Sequence, residues 1–277
     1  MSKTWLITGA SRGFGRSLAE AAAATGDQVV ATARRPEQLQ DLVNRFGDRV
    51  RAVALDVTDP AAARAAVEVA VTAFGRLDVV VNNAGYANSA PIEEMAEDDF
   101  RAQIETNLFG VVNVTRAALP VLRRQRSGVF LQFSSIGGRV GGTPGMGAYQ
   151  TAKFAVEGFS EVLASEVAPF GVRVVIVEPG AFRTDWQGSS MTLHPAGPDY
   201  EETVGAINRY RVANDGVQPG DPDRAARVIL DVLASDELPR RLVLGADAVR
   251  SALESAAQRS AETEKWASVS ASADFPS

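Results

Sequence analysis

Short apolar runs alternate with longer stretches of helical character along this chain, from Trp5 to Leu244, with no linker rich in proline, serine or glycine between them. Residues 5–8 read as a short buried strand, followed by a glycine turn and an alanine-rich helix over 16–24. Further strands are expected at 28–33, 50–55 and 77–81, each separated from the next by a helical stretch. This is the βαβ rhythm of a parallel sheet. Beyond it, 100–123 has the length and apolar spacing of a long helix, 129–133 is a fifth strand and 149–167 a second long helix. Residues 172–177 form a near-continuous β-branched run of the kind buried on both faces. A last helix over 224–234 and a last strand over 242–244 complete an α/β reading as one domain, 1–277, with a doubly wound parallel sheet of about seven strands and helices on both faces.

Two places break the rhythm. Residues 182–220 carry Trp186, Met191, Leu193, Tyr200 and Tyr210 among polar and glycine residues and are too long for a simple connection; such an insertion serves as a lid or binding loop. Residues 262–277 are small and polar apart from Trp266, Val269 and Phe275, and a loosely ordered tail is expected there.

Composition narrows the function. With 45% hydrophobic residues among 277 there is ample material for a large core. A net charge of −6, with arginines scattered along the chain, argues against nucleic acid as a partner. No apolar run approaches the roughly 18 residues of a membrane span, and the start lacks the basic-then-apolar form of a signal peptide, so a cytoplasmic protein without membrane contact is expected. There is no cysteine and a single histidine, His194. That removes the Cys/His ligand sets of zinc-dependent alcohol dehydrogenases, and no metal site is expected; His194 itself reads as a surface residue.

Three motifs carry candidate chemistry. Gly9, Gly13 and Gly15, in Thr-Gly-Ala-Ser-Arg-Gly-Phe-Gly, follow the first strand and open a helix. Glycines there let the backbone turn tightly and approach a pyrophosphate, which the free amides and dipole of the helix start attract. Second, the end of the second strand reads Ala31-Thr32-Ala33-Arg34-Arg35 with no carboxylate. An acidic residue there holds the ribose hydroxyls of NAD, whereas an arginine accommodates the 2′-phosphate of NADP. Arg34, aided by Arg12, therefore points to NADP(H), and Arg35 to a solvated side chain. Third, Tyr149 and Lys153 stand four residues apart, on one helix face. An ammonium beside a phenol favours the phenolate and brings its pKa from about 10 toward the range of acid–base catalysis.

The order and spacing of these pieces, with Phe-Ser-Ser at 133–135, resemble the single-domain branch of the short-chain dehydrogenase/reductase family, hydroxysteroid-dehydrogenase-like members included, over about residues 4–245. The resemblance implies a Rossmann-type fold and an oxidoreductase that interconverts a ketone or aldehyde with an alcohol. It assigns Tyr149 as proton donor and acceptor and Ser135 as donor to the substrate oxygen. Lys153 lowers the phenol's pKa and reaches the nicotinamide ribose, and Asn107 holds a water linking the lysine to solvent; on its residues alone, Asn107 reads equally as a satisfied buried amide. The turn residues Gly9, Ser11, Arg12, Gly13, Phe14 and Gly15 would hold the dinucleotide. Asp56 and Val57 would meet the adenine, Asn83, Ala84 and Gly85 close the fourth strand beside the cofactor, and Pro179, Gly180 and Thr184 contact its nicotinamide end. Ser134 competes with Ser135, which lies one residue further from Tyr149 than the family spacing; the Gly141-Gly142-Thr143-Pro144 stretch would absorb the difference.

The resemblance leaves a non-catalytic NADP(H)-binding sensor as the alternative, although sensors of this fold are expected to lose the tyrosine or lysine. A nucleotide-sugar epimerase or dehydratase of the extended branch fits the glycine spacing less well. The aromatic residues of 182–220 line an apolar pocket for a hydrophobic substrate or pack the loop onto the body. By analogy, reduction is the favoured direction, and a homodimer or homotetramer forms through the two long helices.

Overall fold

The structure is a computed structural model describing residues 2–186, 188 and 190–275. Strand β1 (Thr4–Ile7) leads through the glycine turn into helix α1 (Gly13–Ala24), then β2 (Gln28–Ala33), α2 (Gln40–Phe46), β3 (Val50–Ala54), α3 (Pro60–Phe74) and β4 (Val79–Asn82). A short strand β5 (Ala87–Ser89) precedes α4 (Glu97–Ile104) and α5 (Gly110–Gln125). After them come β6 (Gly128–Phe133), the single-turn α6 (Ile136–Arg139), α7 (Gly147–Val167), β7 (Val172–Pro179), β8 (Met191–Leu193), α8 (Ala206–Ala213), α9 (Pro222–Ala234), β9 (Arg241–Leu244) and α10 (Ala246–Ala271).

Seven strands form one parallel sheet in the order β3-β2-β1-β4-β6-β7-β9. The chain starts in the middle, winds to one edge, and returns past β1 to build the other half. Where the winding direction reverses, between β1 and β4, the loops leaving the carboxyl ends of neighbouring strands diverge and open a crevice. The expected seven-stranded Rossmann-type architecture is thus the observed one, with strand limits differing by one or two residues from the sequence reading.

Strand pleating divides the core between the two faces. Trp5 and Ile7 point to one side, where they meet Leu18, Val29 and Ile229 from α1, β2 and α9. Leu6, between them, points to the other, with Val67, Val114, Phe130 and Leu163 from α3, α5, β6 and α7. Local signals set the helix starts. Asp59 caps α3 by accepting from the Ala61 amide, Asp221 caps α9 through Asp223 and Arg224, and each is followed by proline in the first turn.

Three features depart from the sequence reading. The long helix expected over 100–123 is broken by a π-type turn at Glu105–Phe109, between α4 and α5; π-bulges of this kind gather at functional sites, and this one carries Asn107. The 182–220 insertion is largely structured: β8 pairs in parallel with β5 as a separate two-stranded sheet, and α8 follows. The tail expected to be loose from about 262 is helical through Ala271. Its alanines and its Glu and Lys residues are good helix formers, and bonds such as Ser260 Oγ to Glu264 Oε1 (3.1 Å) and Thr263 Oγ1 to the Arg259 carbonyl (2.9 Å) add local support.

Arg259 ties α10 to the Arg139 carbonyl (2.8 Å) and lies over the Phe154 ring, and residues 260–275 beyond it are exposed. Truncation after Ala261 should therefore shift the thermal unfolding midpoint by less than about 2 °C, as for other changes at exposed sites. A drop of about 5 °C or more on calorimetry would contradict this picture of the tail.

Candidate active site

The glycine turn is locked to β4 by a short set of bonds. The hydroxyl of Thr8, just past β1, donates to the Val81 carbonyl (3.1 Å) and accepts from the amides of Asn83 (2.9 Å) and Ala84 (3.0 Å). In return, Asn83 Nδ2 donates to the carbonyls of Thr8 (2.9 Å) and Gly9 (3.2 Å). These bonds fix the two sides of the crevice against each other. Gly15 has no room for a side chain, since a Cβ there would lie 2.4 Å from the Gly9 carbonyl oxygen. Gly9 and Gly13 adopt positive φ of 65° and 55°, where glycine is the unstrained choice. No side chain caps the start of α1, so its first amides are available to an anion in the cleft.

That cleft is bordered by Gly9, Ser11, Arg12, Gly13 and Phe14 from the turn and by Arg34 from the end of β2, and it extends past Asp56 and Val57 to Asn83, Ala84 and Gly85. Arg34 and Arg35 are both exposed at its rim. Asp56 Oδ1 binds the amide and hydroxyl of Thr58 (3.0 and 2.8 Å) and so shapes its own turn. Val57 is clasped by α5, its carbonyl accepting from Asn113 Nδ2 (3.0 Å) while its side chain fills the space over Gly110. The donors and the glycine cradle fit a dinucleotide whose pyrophosphate lies at the start of α1. Asn82, the first residue of the Asn-Asn-Ala-Gly segment, instead faces the core and binds Thr115 and Gln132.

A second cavity adjoins the first and shares Phe14, Asn83, Gly85, Thr184 and Trp186 with it; Ser135, Tyr149, Lys153, Asn107, Pro179 and Gly180 also line it, beside Phe133, Ser134, Ala181 and Phe182. The sequence-derived residues therefore converge on two connected spaces. Tyr149 and Lys153 project from the first turns of α7 and are 7% and 4% exposed. The ammonium donates to the Phe133 carbonyl at the end of β6 (2.8 Å) and lies 5.6 Å from the centre of the Tyr149 ring. Ser135 caps α6, accepting from the Gly137 amide (3.1 Å), and its side chain also faces the phenol. Ser134 also borders the cavity, but its hydroxyl donates to Glu157 (2.7 Å). Gly141 and Gly142 take positive φ in the loop between Ser135 and Tyr149.

Electrostatics differ from the sequence reading in one respect. Burial pushes the Tyr149 phenol up to about 12, and the contact with Ser135 offsets this only in part. The expected acidification by Lys153 does not prevail, because desolvation of the phenolate outweighs the effect of an ammonium engaged by a carbonyl. The same burial draws Lys153 down to about 8, opposed by the charge of Glu157. Asn107 is fully buried: Nδ2 donates to the carbonyls of Tyr86 and Gln103 (both 2.8 Å), and Oδ1 accepts from the Tyr86 amide (3.2 Å). A Cβ on Gly85 would fall 2.4 Å from Asn107 Oδ1 and 3.7 Å from Lys153 Nζ, so the asparagine and lysine meet across that glycine.

The insertion supplies one wall. Thr184 lies over the glycine turn, 3.4 Å from where a Gly13 Cβ would be. Trp186 packs on Tyr149 with ring centres 5.1 Å apart, and Met146 and Met191 complete a small apolar cluster around the tyrosine. Of the aromatic residues singled out in the sequence, only Trp186 lines the cavity. Tyr200 bonds to Glu93, and Tyr210 is exposed. His194 is a half-buried strut to Asp99 (3.2 Å). Two further contributions went unread: Thr8, and the Phe14 ring that packs on Phe133 and Phe182 (5.6 and 4.9 Å) beneath the cavity. Among the described residues there is no cluster of metal ligands and no helix long and apolar enough to cross a membrane.

A model of the short chain dehydrogenase family matches residues 3–192. The chain belongs to the short-chain dehydrogenase/reductase family. It is an oxidoreductase of that family, similar over 271 residues to oxidoreductase BOA17 of Botryotinia fuckeliana, at 52% identity and 98% of each chain. It is 36% identical to a 3-ketodihydrosphingosine reductase of Bacteroides thetaiotaomicron over 87% of each chain. A short-chain dehydrogenase structure from Streptomyces avermitilis superposes with a TM-score of 0.92 at 44% identity, over 99% of this chain and all of that one. An alcohol dehydrogenase of Thermococcus sibiricus complexed with 5-hydroxy-NADP aligns at TM-score 0.72 and 29% identity, covering 88% of this chain and 96% of that one. A 3-ketoacyl-(acyl-carrier-protein) reductase of Brucella melitensis complexed with NADH aligns at 0.73 and 28%, covering 87% and 96%. The last two of these neighbours are thus complexes with nicotinamide dinucleotides.

The Thr8 lock gives a stability test. Thr8→Val keeps the shape but strands two amides, and it should cost on the order of 2 kcal/mol or more in urea unfolding. A loss under about 0.5 kcal/mol would mean that the lock contributes little.

Proposed function

We propose that the protein is an NADP(H)-dependent oxidoreductase that interconverts a ketone or aldehyde and its alcohol, with Tyr149 moving the proton. The observation that carries this reading is the junction of the two cavities. The cleft fitted to a dinucleotide opens into the space where the Tyr149 phenol, Ser135 and the Lys153 ammonium converge. A nicotinamide dinucleotide bound there supplies or accepts the hydride. The chain's own residues do the rest. The start of α1 holds the pyrophosphate, and Arg34 at the end of β2 pairs with a 2′-phosphate.

Ser135 and Tyr149 donate hydrogen bonds to the substrate oxygen. Negative charge builds on that oxygen during reduction, so fixed donors stabilise it more than the neutral carbonyl. Tyr149 is protonated throughout the neutral range, as a proton donor for reduction must be. After transfer, the phenolate is stabilised by the Lys153 ammonium, and Asn107 holds a water beside the lysine through which the proton is restored. Trp186 and the apolar cluster around Tyr149 support a hydrophobic substrate. Exposed Phe109 of the π-type turn and Phe154 and Val162 of α7 support self-association through these helices.

Tyr149→Phe should lower kcat by about 100-fold or more while dinucleotide affinity stays near the wild-type value, the usual scale of general acid catalysis; near-normal turnover would remove the tyrosine from the reaction. Arg34→Ala should weaken NADPH about tenfold, the loss of one charge-assisted contact, and leave NADH unchanged. Equal affinities of the wild type for both dinucleotides would defeat the NADP assignment. The pH dependence has a defined sign. Because Lys153 is held near 8, raising the pH through that value removes its charge, so turnover in reduction should fall above about pH 8. A flat rate between pH 7 and 9.5 would contradict a role for the ammonium.

A further inference from the structure

Behind the proposed site lies a cluster of charges that the reaction does not use directly. Glu157 stands one turn beyond Lys153 on α7 and is 5% exposed. Its Oε1 accepts from the hydroxyl of Ser134 (2.7 Å), which also lies 3.4 Å from the Lys153 carbonyl. Its Oε2 pairs with Arg241 of β9, which in turn binds Glu178 of β7 (2.6 Å) and Glu161 of α7. Glu178 is fully buried and reaches Arg139 of α6 at 3.2 Å. Gly138 presses α6 so closely onto this group that a Cβ there would lie 2.4 Å from Ser134 Oγ and 2.9 Å from Glu157 Oε1.

The two buried carboxylates, Glu157 and Glu178, thus face two guanidiniums, while Glu161 is half exposed. Burial works against the Glu157 charge, and its bonds to Arg241 and Ser134 favour it. One turn back on the same helix is Lys153, whose charged form the Glu157 carboxylate favours. Arg241 fixes the carboxylate by a guanidinium pairing, and Ser134 links it to the residue that precedes Ser135.

We propose that Glu157 is a positioning residue of this site, holding Lys153 in its charged form and the Ser134-Ser135 segment in place while Arg241 fixes the carboxylate. It acts through those residues and touches neither substrate nor cofactor. This rests on the oxidoreductase reading only for the task it gives Lys153.

Glu157→Gln removes the charge but keeps an acceptor for Ser134, and Arg241 retains Glu178 and Glu161, so the variant is expected to fold. Glu161→Gln is the control, because it removes a charge from the same arginine at an exposed position. Dissociation constants of NADPH and NADH, followed by tryptophan fluorescence from pH 6.5 to 9, give one readout. For E157Q the affinity at pH 8 should fall about tenfold relative to its own value at pH 6.5, as expected if the lysine loses its proton about one unit earlier. The wild type and E161Q should fall by no more than about threefold over the same interval, since Lys153, held near 8, is still about half charged at pH 8. Superimposable profiles for all three proteins would overturn the proposal, as would an equal shift in E161Q, which would reduce Glu157 to a structural member of the arginine network.

The second readout is urea unfolding without added dinucleotide. Below its pKa the buried ammonium needs the carboxylate; above it, the neutral amine does not. The destabilisation of E157Q relative to the wild type should therefore be greater at pH 6.5 than at pH 9, and equal losses at both pH values would overturn the proposal. If the wild type bound neither dinucleotide, the cofactor reading would fall, and the unfolding comparison would still decide the role of Glu157.

Discussion

The site depends on keeping an ammonium group inside the protein. Lys153 is almost wholly buried, and an isolated charge there is strongly disfavoured. Three local contributions offset that cost: the Phe133 carbonyl at 2.8 Å, the face of the Tyr149 ring, and the negative charge of Glu157. One comes from the end of β6 and two from α7 itself. The carbonyl is available because β6 has ended and its last residue leads out of the ladder, while the ring and the carboxylate are placed one turn before and after the lysine by the helical repeat of α7. A lysine so held remains poised between its charge states near neutral pH, whereas an exposed one stays charged far above it.

Sheet topology explains why this helix meets the glycine turn. Reversal of winding beside β1 leaves the loops after β1 and β4 on either side of one crevice, and the Thr8 and Asn83 bonds hold those loops at fixed separation. α7 follows β6, the strand next to β4, so its first turns open onto the same end of the sheet. Phe14, from the start of α1, then packs on Phe133 of β6 and joins the dinucleotide cleft to the floor of the tyrosine cavity. The proximity of the two cavities is thus a consequence of strand order and requires no long-range adjustment.

Much of this was legible from the chain alone, for identifiable reasons. The strands of the main sheet were read because they are apolar runs, the central ones buried on both faces, and Tyr149 with Lys153 because helical spacing is a local property. The two serines of Phe-Ser-Ser were separated only by the family pattern, since no local signal shows that the Ser134 hydroxyl is committed to Glu157. Glu157 carried the same four-residue signal from Lys153 and could have been found by it, but its partners Arg241 and Glu178 are distant in sequence and no local pattern connects them. The π-type turn around Asn107 left no sign in the apolar spacing, since it adds a residue without changing which face is buried. The tail misled because small polar residues are shared by loops and by exposed helices; helix propensity there had to be weighed without any apolar stripe to support it.

The 182–220 segment was the least legible, and its irregularity has a physical basis. Residues around Tyr149 sit on elements whose backbone bonds are satisfied internally, which allows side chains to be placed with little tolerance. The facing wall is made of a three-residue strand, short turns and one helix, held by contacts such as Thr192 to Asn88 and His194 to Asp99. Trp186 reaches across to the tyrosine from a stretch with no regular ladder of its own, so its position depends on packing. In the reaction proposed above, a fixed proton donor opposed by a wall built on looser elements separates two demands. The donor's geometry must be constant for any carbonyl, while the shape of the wall sets which carbonyl fits. Changes within 182–220 can therefore alter the substrate accepted without disturbing the burial that holds the tyrosine protonated and the lysine near 8, provided Trp186 continues to cover the phenol.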